Sequence, residues 1–141
     1  MGDMATSRLV IDSDVVIDQL RKHDFALQTA IEHFDCALTA ITLYELNAAP
    51  SYTEQQRAAL SEILSVVDVL PFDTRAAEQS AQISRQLASR GRLIGVPDLL
   101  TAGICLANDI ALLTRNIEHF SRIDGLKLVT PDGLQAHIDA G

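Results

Sequence analysis

The sequence predicts an α/β fold, a three-layer α/β/α sandwich around a central, mainly parallel sheet. Short apolar runs alternate with longer stretches of helical spacing along the 141 residues. That alternation is the pattern of strands joined by crossover helices. The chain is 48% hydrophobic, yet it has no Trp and only 4% aromatic residues. Leu, Ile, Val and Ala must then fill the core, as they do when helices cover a sheet on both faces. Three acids far apart in sequence also stand where apolar runs end. Asp12 follows Arg8-Leu9-Val10-Ile11, Glu45 comes shortly after Ala37-Leu38-Thr39-Ala40-Ile41, and Asp98 follows Leu93-Ile94-Gly95-Val96-Pro97. A parallel sheet gathers such ends at one edge, where ligands bind.

The elements follow in order. Leu9 to Asp12 is a short strand-like run, and Val15 to Leu20 has helical spacing. Phe25, Leu27, Ile31 and Phe34 mark a second helix. Cys36 to Thr39 reads as a strand, and Thr42 to Ala48 as a helix stopped by Pro50. Thr53 opens a helix through Leu64. Val66 to Leu70 reads as a strand. Thr74 starts a long helix through Arg90, with Ala77, Ala81, Ile83, Leu87 and Ala88 as its buried positions and Gly91 as its stop. Pro97 to Asn108 is an apolar helix that Asn108 closes in the left-handed conformation. Ile110 to Leu113 is a strand ending at Thr114. Leu126 to Val129 is the last strand, and a short tail helix follows Pro131. No repeat or linker interrupts the chain, so residues 1–141 are read as one domain.

Bulk properties narrow the function. No run reaches the roughly 18 apolar residues of a membrane span. Residues 1–6 lack a basic region leading into an apolar stretch, so no secretory leader is expected. Cys36 and Cys105 lie singly inside apolar runs, without ligand spacing, and are expected to be buried free thiols in a reducing cytoplasm. The net charge of −8 argues against broad electrostatic binding of nucleic acid. It leaves a nucleic-acid substrate open, because a metal site contributes its acids to that sum but not its cations.

Each acid also has a plain structural role open to it. Asp12 can cap a helix beginning at Ser13 or Asp14. Thr42-Leu43-Tyr44-Glu45 fits the capping box. Asp98 at a helix start complements the dipole. Their apolar settings favour more. Buried carboxylates need a partner or a metal, and bases are scarce, with Lys only at 22 and 127. A divalent ion shared by Asp12, Glu45 and Asp98 is the first expectation, serving water activation against a phosphodiester. Asp14 and Asp18 either line the same edge or are solvated, and the second is favoured. His23, His33 and His137 are expected at the surface or at helix ends. Ser13 and Thr114 stand evenly between contacting metal-bound water and capping turns.

Four blocks, in order along nearly the whole chain, resemble the PIN-domain family, and most closely its VapC-type toxins. They are Val10-Ile11-Asp12-Ser13-Asp14-Val15-Val16-Ile17, Thr42-Leu43-Tyr44-Glu45-Leu46, Arg90 to Ala102 around Pro97-Asp98, and Leu112-Leu113-Thr114-Arg115-Asn116-Ile117-Glu118-His119-Phe120. The resemblance implies a metal-dependent endoribonuclease of a toxin–antitoxin pair. It implies Asp12 and Asp98 as ligands to Mg²⁺ or Mn²⁺, with Glu45 orienting water or completing the shell; as a catalytic group Glu45 is expected to be the base or to orient the water. Thr114, Ser13 and Asn116 would tune the outer shell. Many family members carry an acid at the position of Asn116 or His119. Its absence here leads us to expect one well-held cation, with any second arriving with RNA.

The resemblance also implies a VapB-type antitoxin as partner and a homodimer. The antitoxin's docking region is expected near Thr42–Ala49 and Thr53–Leu64. Arg115 would reach a phosphate or make a surface salt bridge. Two alternatives stay open on sequence. One is a PIN-like module that binds RNA or a partner without catalysis. The other is a phosphatase of the haloacid dehalogenase type, using Asp12-Ser13-Asp14-Val15 as its nucleophilic block.

Overall fold

The computed structural model describes residues 7–141; the reading of residues 1–6 as lacking a leader lies outside them. The elements run β1 (Arg8–Ile11), α1 (Ser13–Leu20), α2 (Ala26–His33), β2 (Asp35–Thr39), α3 (Ala40–Ala48), α4 (Glu54–Val66), β3 (Asp68–Leu70), α5 (Thr74–Ser89), α6 (Val96–Asn108), β4 (Ala111–Leu113), α7 (Ile117–Phe120), β5 (Leu128–Val129) and α8 (Leu134–Ala140). The five strands form one sheet in the order β3-β2-β1-β4-β5. Every pairing is parallel, with Val10 facing Ala37 on one side and Leu112 on the other.

Side-chain alternation along the strands makes two cores. Leu9, Ile11, Leu38 and Leu113 pack with Val16, Leu20, Leu27 and Leu60 on one face. Val10, Ala37 and Leu112 pack with Ile83, Leu87, Ile104 and Phe120 on the other. The strand order steps outward both ways from β1, so the carboxyl ends of β1 and β4 lie side by side at the centre of one edge.

Several boundaries differ from the sequence reading. The helix expected from Thr42 begins at Ala40, because Thr39 caps it: the Thr42 backbone N–H donates to Thr39 Oγ1 at 3.1 Å. The expected third strand starts at Asp68, because α4 keeps Val66. The residue that ends α6 in the left-handed conformation is Asp109, at φ 53, not Asn108. The buried face of α5 is Ala76, Ser80, Ile83 and Leu87, whereas Ala77, Ala81 and Ala88 are exposed. The polar Ser80 hid that stripe in the sequence. It lies against Gly103 of α6, where an added Cβ would meet Ser80 Oγ at 1.8 Å and the Ala76 carbonyl at 2.9 Å. Gly91 stops α5 as expected, with φ 64.

Candidate metal centre

Asp12 continues the β1 ladder by one residue, its N–H donating to the Leu113 carbonyl at 2.9 Å. It then turns the chain into α1. Its Oδ1 accepts the Ser13 N–H at 2.9 Å, so the capping role read from sequence is real. Its Oδ2 accepts the Thr114 hydroxyl at 2.7 Å. One carboxylate thus caps a helix and faces the site at once. It is only 5% exposed. Burial pushes its pKa up to about 7, the charge of Asp14 adds to this, and Asp98 contributes further.

Asp98 sits in the first turn of α6, after Pro97. Asn116 Nδ2 donates to its Oδ2 at 3.2 Å. His119 Nδ1 lies 3.2 Å from the same oxygen and 2.9 Å from Asn116 Nδ2. That nitrogen donates to Asp98 or accepts from Asn116 according to which ring nitrogen holds the proton. The two side chains that stand in place of a fourth acid therefore gather around Asp98.

Glu45 is half-buried on α3. Its pKa is raised by burial first and by the charge of Asp98 second, while a hydrogen bond with Ser13 opposes both. The capping box read at Thr42–Glu45 does not form, because Thr39 caps the helix instead. Glu45 is thereby free to face the other acids.

Asp14 corrects the sequence reading most. It is not simply solvated. Its Oδ2 accepts the Arg115 N–H at 3.1 Å and lies 3.4 Å from the Thr114 hydroxyl. Its Oδ1 is buried and has no hydrogen bond among the described residues. Burial is the main reason its pKa rises. The Asp-x-Asp spacing at the end of a strand was the available signal. Asp18 is likewise not free in solvent: the Arg115 guanidinium pairs with Asp18 and, at 2.9 Å, with Asp24. Arg115 thus makes the salt bridge, one of its two sequence readings.

The donor set fits a hard divalent cation. Asp12 and Asp14 are carboxylates held in partial burial, the one basic side chain of the 114–116 turn is already engaged, and Asp14 keeps an unpartnered oxygen. Such a group is stable when protonated or when a cation joins it. The charge of Asp98 reaches both Asp12 and Glu45 across this edge. They do not close on a ready cage, however. Among the described residues, no three His, Cys, Asp or Glu side chains stand as a group able to hold an ion. Few protein ligands and retained waters suit Mg²⁺.

Cys36 and Cys105 are buried free thiols, as expected. No helix among the described residues is long and apolar enough to cross a membrane.

The family described as PIN domain matches residues 9–126. The tRNA(fMet)-specific endonuclease VapC of Shigella flexneri is 33% identical over 93 residues, which span 64% of this chain and 70% of that protein. Ribonuclease VapC2 of Rickettsia felis is 27% identical over 126 residues, spanning 84% of this chain and 94% of its own. Among solved structures, DNA-bound VapBC from Salmonella typhimurium superposes with a TM-score of 0.80 at 24% identity, over 89% of this chain and 98% of that one. That likeness shows the same fold.

Proposed function

The chain belongs to the PIN-domain family, and from that premise we propose how its site works. The protein is a VapC-type ribonuclease, the toxin of a toxin–antitoxin pair. We read residues 1–141 as one PIN-like domain. Its metal is proposed to be Mg²⁺, with Mn²⁺ as a substitute, held by Asp12 and Asp98. The observation that carries this reading is the burial of Asp12 beside Asp14, a carboxyl pair that resists ionisation without a cation and in which Asp14 Oδ1 has no partner among the described residues.

When bound, the ion supplies an acidified water and neutralises charge on the scissile phosphate. The chain does the rest. Thr114 fixes one Asp12 oxygen, and Asn116 fixes one Asp98 oxygen, so both carboxylates keep their orientation through the reaction. Glu45, its pKa raised by burial and by the charge of Asp98, takes or steers the proton of the attacking water. Asp14 and His119 supply the further charge and hydrogen bonding that a fourth acid provides in other members.

The partner is a VapB-type antitoxin. We place its docking in a groove of about 750 Å³ between the α1–α2 corner and α4, lined by Leu20, Phe25, Leu27, Ile31, Ile63 and Val66. This groove shares α4 with the region expected from sequence, Thr42–Ala49 and Thr53–Leu64. Self-association as a homodimer and a cytoplasmic location belong to the same reading.

The test is RNA cleavage by the purified toxin with added Mg²⁺. Cleavage should stop with EDTA and return when the metal is restored. Asp12→Asn and Asp98→Asn should fold and fail to cut. Full activity in either variant, or in EDTA, overturns the metal assignment. Absence of any cleavage by the wild type would favour the non-catalytic binding module. A covalent aspartyl-phosphate at Asp12 would instead favour the phosphatase.

A further inference from the structure

The 114–116 turn touches almost every acid of the site. Thr114 holds Asp12, the Arg115 N–H holds Asp14, and Asn116 holds Asp98. A turn that orients three carboxylates must itself be held. At its centre the Arg115 side chain leaves the site and spans two separate elements, Asp18 on α1 and Asp24 in the segment before α2. Asp24 is fixed in turn, because its Oδ1 accepts the Ala26 N–H at 2.7 Å. Asp18 Oδ2 is buried and has no hydrogen bond among the described residues, so the ion pair with this guanidinium is what offsets its charge.

We propose that Arg115 is a positioning residue for the metal site, a clamp that pins the 114–116 turn to α1 and to the start of α2. The proposal rests on the metal-dependent nuclease reading above. The planar fork of Arg suits two carboxylates at once, whereas a Lys ammonium is a single point charge on a flexible stem. The ion pairs are half exposed, so they contribute little to stability by themselves. Their effect is on geometry. A guanidinium spent on two carboxylates is also poorly placed to serve RNA, since reaching a phosphate would mean abandoning both.

The sign of the expected effect separates this role from simple electrostatics. Removing a positive charge beside a cation site should strengthen cation binding by Coulomb's law. Loss of a clamp should weaken it. The experiment is Mg²⁺ titration by calorimetry on the full chain without RNA, for the wild type, Arg115→Ala and Arg115→Lys, followed by kcat and KM on an RNA oligonucleotide. Both variants should bind Mg²⁺ roughly tenfold more weakly, the lower end for lost support of metal ligands, and kcat should fall more than KM rises. Lys keeps the charge and should not rescue, which also covers the case in which Ala fails to fold.

Unchanged or tighter Mg²⁺ binding in the variants overturns the clamp. So does a raised KM that Lys restores, which would make Arg115 an RNA contact. A wild-type chain that takes up no Mg²⁺ overturns the metal reading itself. Wild-type uptake with unaffected variants sinks only the clamp.

Discussion

Thr114 donates its hydroxyl proton to Asp12 Oδ2 across 2.7 Å, joining two residues 102 positions apart. Both are buried, at 0% and 5% exposure. The bond ties the end of β4 to the end of β1 and fixes the orientation of the deepest carboxylate in the site.

Thr114→Val keeps the shape and removes the donor. The Asp12 oxygen is then buried without its strongest partner, a loss of about 1–3 kcal/mol. Urea denaturation should show that loss. RNA cleavage should fall roughly 10–100-fold, the usual effect of losing support for a metal ligand. Thr114→Ser should restore most of both. A valine variant as active as wild type would separate this bond from catalysis.

Asp12 makes the metal-free protein sensitive to pH. Its pKa rises from an ordinary 3.8 to about 7 on folding. A carboxyl with a raised folded pKa favours the folded state while protonated. That contribution is complete below about pH 3.8 and is lost as pH climbs through about 7. Metal-free protein should therefore lose stability between those limits, as followed by thermal melting in EDTA. Asp12→Asn should flatten that slope. Mg²⁺ should restore the wild type at neutral pH and leave the Asn variant unmoved.

Gly103 is required by helix packing. Gly103→Ala drives a Cβ into Ser80 Oγ and the Ala76 backbone carbonyl. The backbone atom cannot rotate away, so α5 and α6 must separate, at a cost of roughly 1–3 kcal/mol. Since α6 carries Asp98, cleavage should fall as well. Ser80→Ala should be neutral or stabilising by comparison, because the buried Ser80 hydroxyl has no partner among the described residues. Thermal denaturation of the two variants checks both.

Neither thiol should react in the native state. Burial, with the nearby charge of Asp35 for Cys36 and of Asp12 for Cys105, pushes both up to about 12. A chromogenic disulfide reagent at neutral pH should find no thiolate in the folded protein. After denaturation in guanidinium it should titrate both cysteines. Reaction of the native protein would place one of them at the surface.

Much of the architecture was legible because each strand is short, apolar and followed by a helical period. The strands at 9–12 and 36–39 needed only that pattern. The start of α3 was not legible, since two threonines three residues apart, Thr39 and Thr42, both look like caps. Which one caps depends on where β2 ends, and β2 ends where its pairing with β3 ends, at Thr39 opposite Leu70. The α5 face was misread for a similar reason: a polar Ser80 is buried only because Gly103 gives it room.

The sequence by itself determined a parallel α/β chain with Asp12 and Asp98 at element ends, because hydrophobic period and capping chemistry are local; Glu45, expected in a first turn, lies inside α3, which begins at Ala40. Tertiary structure decided which other groups join them. Asp14 enters the site, Asn116 and His119 converge on Asp98, and Arg115 turns away to Asp18 and Asp24. The Asp12 and Asp14 pairings depend on the β1–β4 register, which brings residues about a hundred positions apart within bonding distance, whereas those of Asp98 depend on how the start of α6 sits beside the end of β4. Side-chain hydrogen bonds act over a few ångströms of space, and no local pattern records which distant neighbour will stand there.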